Sequence, residues 1–540
     1  MSFTSFEFLC FLAITVLLYY LIPKKLQWVL LLVASITFYT FAGGFYLPYI
    51  LITIVSSYIV SLLIKKNADR EKAYIQENKT NLDKEQRKAY KAKEKKKRFS
   101  ILIVGLIINF GMLAVLKYTG FAISNLNSII HLFGAENTIG IPDLLLPLGI
   151  SFYVFQTTGY LIDVYREKTH AETNIFKLGL FVSFFPQLLQ GPISRHSDLA
   201  NQLFEGHKCQ WDNISAGLLR IAYGYFKKLI IADTVMIAIS KIIGAPDTYT
   251  GVYVIFLILA YSVQIYADFT GGIDITIGIA EMLGIKLHEN FDHPFASKST
   301  KEYWNRWHIT MGSWFTDYVF YPLSICKPMQ KLSKWSRSKL GNALGKRIPV
   351  YLATIFTWFL TGLWHGASWN FIVWGVLNGV IILISRELEP LYARFRKKFP
   401  RLTASAAYGG FMCVRTFFLM GAVRILDCYR DVPVTAKAFA SIFYDFSHWG
   451  DLVSGSFMEK LGLSLPVWIV MGLSTVLIFF VSRASGAASG TGGKDTPVAD
   501  RLSTRPVLWT LACLGLAVTV LIFGSYGMGF DAGAFIYGTF

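Results

Sequence analysis

Long apolar runs alternate with short polar ones along almost the whole chain. They fall near 6–22, 27–42, 46–64, 100–117, 144–162, 176–190, 215–243, 251–267, 273–285, 305–323, 350–364, 368–385, 406–425, 464–482 and 506–524. Many approach the ~20 residues that an α-helix needs to cross a hydrocarbon core ~30 Å thick. The pattern predicts an all-α polytopic integral membrane protein with roughly 11–13 spans. The runs near 176–190 and 273–285 are short or carry Pro and Gly, and are expected as re-entrant or tilted pieces held among other helices.

The polar interruptions set the expected topology. Residues 65–99, "KKNADREKAYIQENKTNLDKEQRKAYKAKEKKKRF", have the composition of a solvated, strongly basic helix. Residues 327–348 and 386–401 are also basic. An excess of Lys and Arg marks cytoplasmic loops, so all three are expected on the cytoplasmic side. Residues 483–505, "RASGAASGTGGKDTPVADRLSTR", read as a flexible linker. The expected division is a core over 1–400 and C-terminal helices over 401–540. The opening "MSFTSFEFLCFLAITVLLYYLIPKK" lacks a basic n-region and a small-residue cleavage site, and reads as a retained helix.

Composition agrees with this class: 54% of the 540 residues are hydrophobic and only 16% are charged, against about a quarter charged in soluble domains. The net charge of +18 follows from basic cytoplasmic loops, and no nucleic-acid motif accompanies it. The six cysteines show neither disulfide nor metal spacing.

If 327–348 and 386–401 are both cytoplasmic, the chain between them enters the membrane and returns as a helical hairpin. Its turn is "LWHGASW", with His365 between Trp364 and Gly366. Arms of roughly 15 residues reach ~22 Å, which puts an ionisable ring inside the bilayer. Groups in such places face a cavity and mark a pathway or a site. Among nine histidines, only His308, in "EYWNRWHITMGSWFTDYVFYPLS", shares this tryptophan-rich apolar setting. Helical spacing puts Trp304, His308, Met311 and Phe315 on one face. A single histidine on such a face is ordinarily a satisfied core residue; two in matching contexts make a shared site an equal alternative.

Other chemistries find less support. No H-x-x-x-H pair offers metal ligands, and no G-x-S-x-G elbow offers a serine nucleophile. Asp268, Asp274 and Glu281 form either a proton path or ordinary ion pairs with Lys and Arg. "FPQLLQGPISR", with Pro186, Gly191 and Pro192, predicts a broken helix, and Gln190 and Arg195 there are candidate tunnel residues.

Four motifs together resemble the membrane-bound O-acyltransferase (MBOAT) superfamily. They are "LPLGISFYVFQTTGYLIDVYR", "FFPQLLQGPISR", "YWNRWHITMGSWFTDYVFYPL" and "TGLWHGASWNFIVWGVLNG". The resemblance runs over about residues 3–385 and is nearest to the bacterial alginate O-acetyltransferase branch, with D-alanyl-teichoic-acid transfer proteins as cousins. It implies a ring of tilted helices around a central tunnel. It also implies that His365 is the essential catalytic residue and His308 the second functional position, with Trp304, Asn305, Trp307 and Trp364 beside them. "DFTGGIDITIG" and the C-terminal "FIYGTF" depart from the family pattern, which bears on partners more than on chemistry.

Acyl transfer from a thioester to a sugar hydroxyl needs the hydroxyl deprotonated as it attacks. A neutral imidazole suits that task, and such help is worth roughly 10²–10⁴-fold. His308, the Asn305 amide or an indole N–H would then donate to the carbonyl oxygen as charge develops. The expected donor is acetyl-CoA or another acyl thioester acting as substrate, with an acyl carrier protein as a further partner and no bound cofactor or metal. The expected acceptor is an extracytoplasmic polysaccharide, reached directly or through a secreted partner acetyltransferase. The expected location, surrounded by lipid, is the bacterial inner membrane. The alternatives are a teichoic-acid D-alanylation-type protein and a proton-coupled transporter or flippase, though no internal repeat supports the last.

Overall fold

A computed structural model describes residues 3–134, 138–486, 502 and 504–525. Its described residues are almost all helical, and their only β-pairing is an isolated bridge between Phe291 and Trp307. Seven helices are long and apolar enough to cross a membrane, and four shorter apolar helices, such as Phe6–Leu21 and Val432–Tyr444, accompany them. The protein is therefore an all-α, multi-pass membrane protein. By its contacts it forms two compact units, Met1–Gln210 with Ala280–Leu287, and Trp211–Ile279 with His288–Phe540. The boundary expected at residue 400 falls inside the second unit. Residues 487–501 and 503 of the expected linker, and "FIYGTF", lie outside the described residues.

In the first unit, α1 (Phe6–Leu21) and α2 (Gln27–Gly43) precede two long helices, α3 (Leu47–Glu77) and α4 (Lys84–Leu132). The basic stretch 65–99 forms the ends of these two helices and the turn between them, rather than one separate helix. Asp83 restarts the chain as a capping box with Gln86, so the turn is built where the Glu/Lys periodicity pauses. Beyond the apolar part the two helices are held by Arg98 on Glu71 at 2.6 Å and by Asn67 on Glu94 at 2.6 Å. After α5 (Ile150–Tyr165), "FPQLLQGPISR" breaks as expected. Helix α6 (Ile175–Ser183) stops at Phe184, and α7 (Phe185–Gln190) starts with Pro186 in its first turn, where no amide hydrogen is needed. Extended chain then leads to α8 (His196–Phe204).

In the second unit, α9 (Trp211–Phe226) runs through a π-helical turn, Lys227–Ala232, into α10 (Asp233–Gly244). The apolar runs 251–267 and 273–285 are not separate pieces. Residues 252–282 form one continuous helix, α11 (Val252–Met282). The glycines between the runs do not break the helix; they let another backbone touch it. A Cβ on Gly271 would lie 2.9 Å from the Gly224 carbonyl oxygen, and one on Gly278 would lie 2.7 Å from that of Gly217. Two glycines seven residues apart on each helix thus set a close α9–α11 crossing, as small residues do where helices pack without a hydrophobic driving force.

That crossing buries charge in pairs. Arg220 donates to Asp274 at 3.0 Å and to Glu289 at 2.7 Å, and Lys227 also reaches Asp274. Lys228 donates to Asp268 at 2.7 Å and lies 2.8 Å from Asp233. The π turn brings successive lysines to different acids, as such turns commonly do where a helix must re-aim side chains. Asp268 and Asp274 are therefore ion-paired, as one of the two alternatives expects.

Candidate functional site

The continuous apolar face expected from Trp304 through His308 to Phe315 does not form. Helix α12 (Thr300–Arg306) ends at Trp307, and α13 (Ile309–Phe315) begins after His308. The cause is Asn290. Its carbonyl oxygen accepts from the Ile309 amide at 3.0 Å, and its side-chain Oδ1 accepts from the Thr310 amide and hydroxyl, each at 3.0 Å. The Asp292 amide in turn donates to the Arg306 carbonyl at 2.9 Å. A strand-like segment thus captures peptide groups that a continuous helix would pair internally. His308 is left at the corner with φ 49° and ψ 54°, a left-handed conformation uncommon for a non-glycine residue. Helix α13 continues through a second π turn and α14 (Tyr321–Ile325) into the basic α15 (Lys327–Gly345), so the run 305–323 is several short pieces.

The hairpin expected around His365 forms as α16 (Ile348–His365) and α17 (Trp369–Glu387). Arg347 and Tyr351 both reach Glu387 at its base. Arms of 18 and 19 residues are longer than expected and carry His365 ~26 Å from that base. The helices meet closely beside the histidine. A Cβ on Gly362 would lie 2.3 Å from the Phe371 carbonyl oxygen, and one on Gly366 would lie 2.1 Å from the Phe371 ring. At the turn, Ser368 donates to Asn370, whose amide donates to the Leu426 carbonyl at 3.2 Å.

Both histidines are buried, His308 completely. They converge on one indole: the Trp364 ring centroid is 4.9 Å from that of His365 and 6.0 Å from that of His308. Trp374 meets His365 edge-on at 4.7 Å, and Phe269 meets His308 edge-on at 4.8 Å. Trp304 packs against Trp374 at 5.7 Å, and its buried Nε1 has no hydrogen-bond partner. Trp307 stacks with Tyr303. Asn305, in contrast, is exposed. Gln190, fully buried, and Arg195, 3.9 Å from Asp163, belong to the first unit and are described there alone. Among the described residues, no three His, Cys, Asp or Glu side chains gather as metal ligands would.

Three residues escaped the sequence reading. Asn290 is one. The others are Arg424 and Asp427, on the helix Ala406–Tyr429, both buried. The Arg424 guanidinium lies 4.4 Å over the Trp307 ring and donates to the Tyr303 hydroxyl at 3.3 Å. A lone arginine inside the apolar run "LMGAVRILDCY" was a usable signal, because an intramembrane charge needs partners. Asn290, in the polar stretch "HENFDHPF", carried none.

The membrane-bound O-acyltransferase family pattern matches residues 171–425. The probable alginate O-acetylase AlgI of Azotobacter vinelandii is 34% identical over 390 residues, 72% of this chain and 69% of that protein. The peptidoglycan O-acetyltransferase of Helicobacter pylori is 31% identical over 400 residues, 69% of this chain and 67% of that protein. The teichoic acid D-alanyltransferase of Bacillus subtilis is 26% identical over 269 residues, 47% of this chain and 62% of that protein.

Proposed function

Since the chain belongs to the membrane-bound O-acyltransferase family and is a multi-pass O-acyltransferase, we propose that it moves an acetyl group from a cytoplasmic thioester to a hydroxyl of an extracytoplasmic polysaccharide. The transfer is direct or passes through a secreted partner acetyltransferase, and the location is the bacterial cytoplasmic membrane. The observation that carries the reading is the convergence of two buried histidines on Trp364. Acetyl rather than D-alanyl transfer is favoured by the longer and more identical match to proteins named as O-acetyl transferases.

The proposed step uses neutral His365 as general base. It takes the hydroxyl proton while the oxygen attacks the thioester carbonyl carbon. The carbonyl electron pair moves to oxygen, and the Trp304 N–H, a buried donor with no partner of its own, stabilises the oxyanion. Collapse of the intermediate expels the thiolate, which recovers the proton from His365, so protons and electrons balance. Exposed Asn305 is not suited to that donor role. Acetyl-CoA, as donor, is a substrate in this scheme. An acyl carrier protein in its place remains part of the proposal, and the basic ends of α3 and α4 are where it would dock.

The test is the O-acetyl content of surface polysaccharide in cells carrying wild type, His365→Ala or no copy, with membrane abundance of each protein measured. We expect normally abundant His365→Ala to match the null. Wild-type acetylation by that variant would reject the assignment.

A further inference from the structure

Asn290 does more than break a helix. Its Oδ1, besides accepting from Thr310, lies 3.3 Å from Nδ1 of His308. The identity of that oxygen is fixed by chemistry. The Thr310 backbone N–H can only donate, so the Asn290 atom facing it is the acceptor oxygen and not the amide nitrogen. The amide cannot turn over to relieve its buried Nδ2, which has no hydrogen-bond partner, without setting two donors against each other. A ring nitrogen 3.3 Å from this same oxygen is attracted only if it carries hydrogen; two lone pairs would repel. We infer that Asn290 is a positioning residue that holds neutral His308 with its proton on Nδ1 and its lone pair on Nε2.

The consequence refines the proposed function and rests on it. A neutral His308 so held meets the reaction through an acceptor atom, and cannot donate to the carbonyl oxygen. That leaves the Trp304 N–H for the oxyanion and makes His308 an acceptor that orients the hydroxyl, while His365 takes its proton. The left-handed corner has the same origin. Asn290 holds the Ile309 and Thr310 amides that follow His308, and the Asp292 amide holds the Arg306 carbonyl before it, so one short segment fixes both backbone and ring. Of the charged and titratable groups around His308, Arg424, from the helix Ala406–Tyr429, acts on it electrostatically, Tyr303 and Asp427 are tied to that same arginine, and His365 shares the Trp364 indole.

The experiment measures acetyl transfer from labelled acetyl-CoA to polysaccharide in membranes bearing the full-length protein, across pH, for wild type, His308→Ala, Asn290→Ala and Asn290→Asp. Asn290→Asp keeps the acceptor oxygen but adds a charge that favours protonated His308. We expect its rate–pH profile to move ~1–3 units upward, with near-normal transfer on the alkaline side. Asn290→Ala should lose roughly 10–100-fold in kcat with little change in KM, the loss typical when a residue orienting a functional ligand is removed. A residue needed only for folding would lower the Asp variant's rate equally at every pH, and that outcome overturns the inference. If Asn290→Ala does not accumulate, the Asp profile decides alone. Full activity in His308→Ala, or no wild-type transfer, counts against the underlying function. An inactive His308→Ala beside an unmoved Asn290→Asp profile counts against Asn290 only.

Discussion

The second unit buries polar groups in two different ways. At the α9–α11 crossing, Arg220, Lys227 and Lys228 are each matched by Asp274, Asp268, Asp233 or Glu289. Around Trp364, the polar atoms sit among aromatic rings, and Trp304 Nε1 and Asn290 Nδ2 are buried with no hydrogen-bond partner at all. A buried donor left open costs about 1–3 kcal/mol. The first region spends its polarity on holding two helices in register. The second leaves donors open at a cost in stability, which is the feature behind the oxyanion role proposed for Trp304.

Mutations can break this contrast from either side. Asp274→Asn should have the largest effect on stability, since it leaves Lys227 and Arg220 buried with a weakened partner, a change worth ~3–5 kcal/mol. Thermal unfolding of the detergent-solubilised protein reads this directly, and activity per folded molecule should persist. A variant of normal stability but reduced turnover would move the network from architecture into chemistry. Trp304→Phe makes the opposite change. It keeps an aromatic ring against Trp374 and deletes the open N–H, so kcat should fall ~10²–10³-fold while the unfolding midpoint stays or rises. Unchanged kcat would remove Trp304 from the oxyanion role. Smaller again, Gly224→Ala places a Cβ 2.6 Å from the Gly271 carbonyl oxygen. It should cost ~1–3 kcal/mol through forced separation of α9 and α11, read as a lower midpoint with KM unaltered.

Much of this architecture was legible because the signals were local. The apolar run 350–364, the basic flanks and the glycines of "TGLWHGASWN" predict the α16–α17 hairpin and put His365 at its tip, which is where it lies. Pro186 and Gly191 predict the break around α7 for an equally local reason. What misled were residues whose behaviour depends on a partner far along the chain. The runs 251–267 and 273–285 read as two pieces, yet another backbone packs against Gly271 and the helix continues. His308 sits at helical spacing from Trp304, but Asn290, eighteen residues earlier, intercepts the amides that would have made the spacing real. Arg424 joins the aromatic cluster across more than a hundred residues of sequence, a distance at which periodicity carries no information. The buried, tryptophan-rich setting of the two histidines could thus be read from sequence, and the contacts of Asn290 and Arg424 around them could not.

The central claim is that chemistry resides in the groups gathered on Trp364 and not in the paired charges nearby. Its most direct test is acetyl transfer from acetyl-CoA by purified full-length His365→Ala and wild type, at equal amounts of folded protein. The account predicts a fall of ~10²–10⁴-fold with an unchanged unfolding midpoint. Transfer by the variant within a fewfold of wild type would contradict it, and would return His365 to the role of a packed core residue.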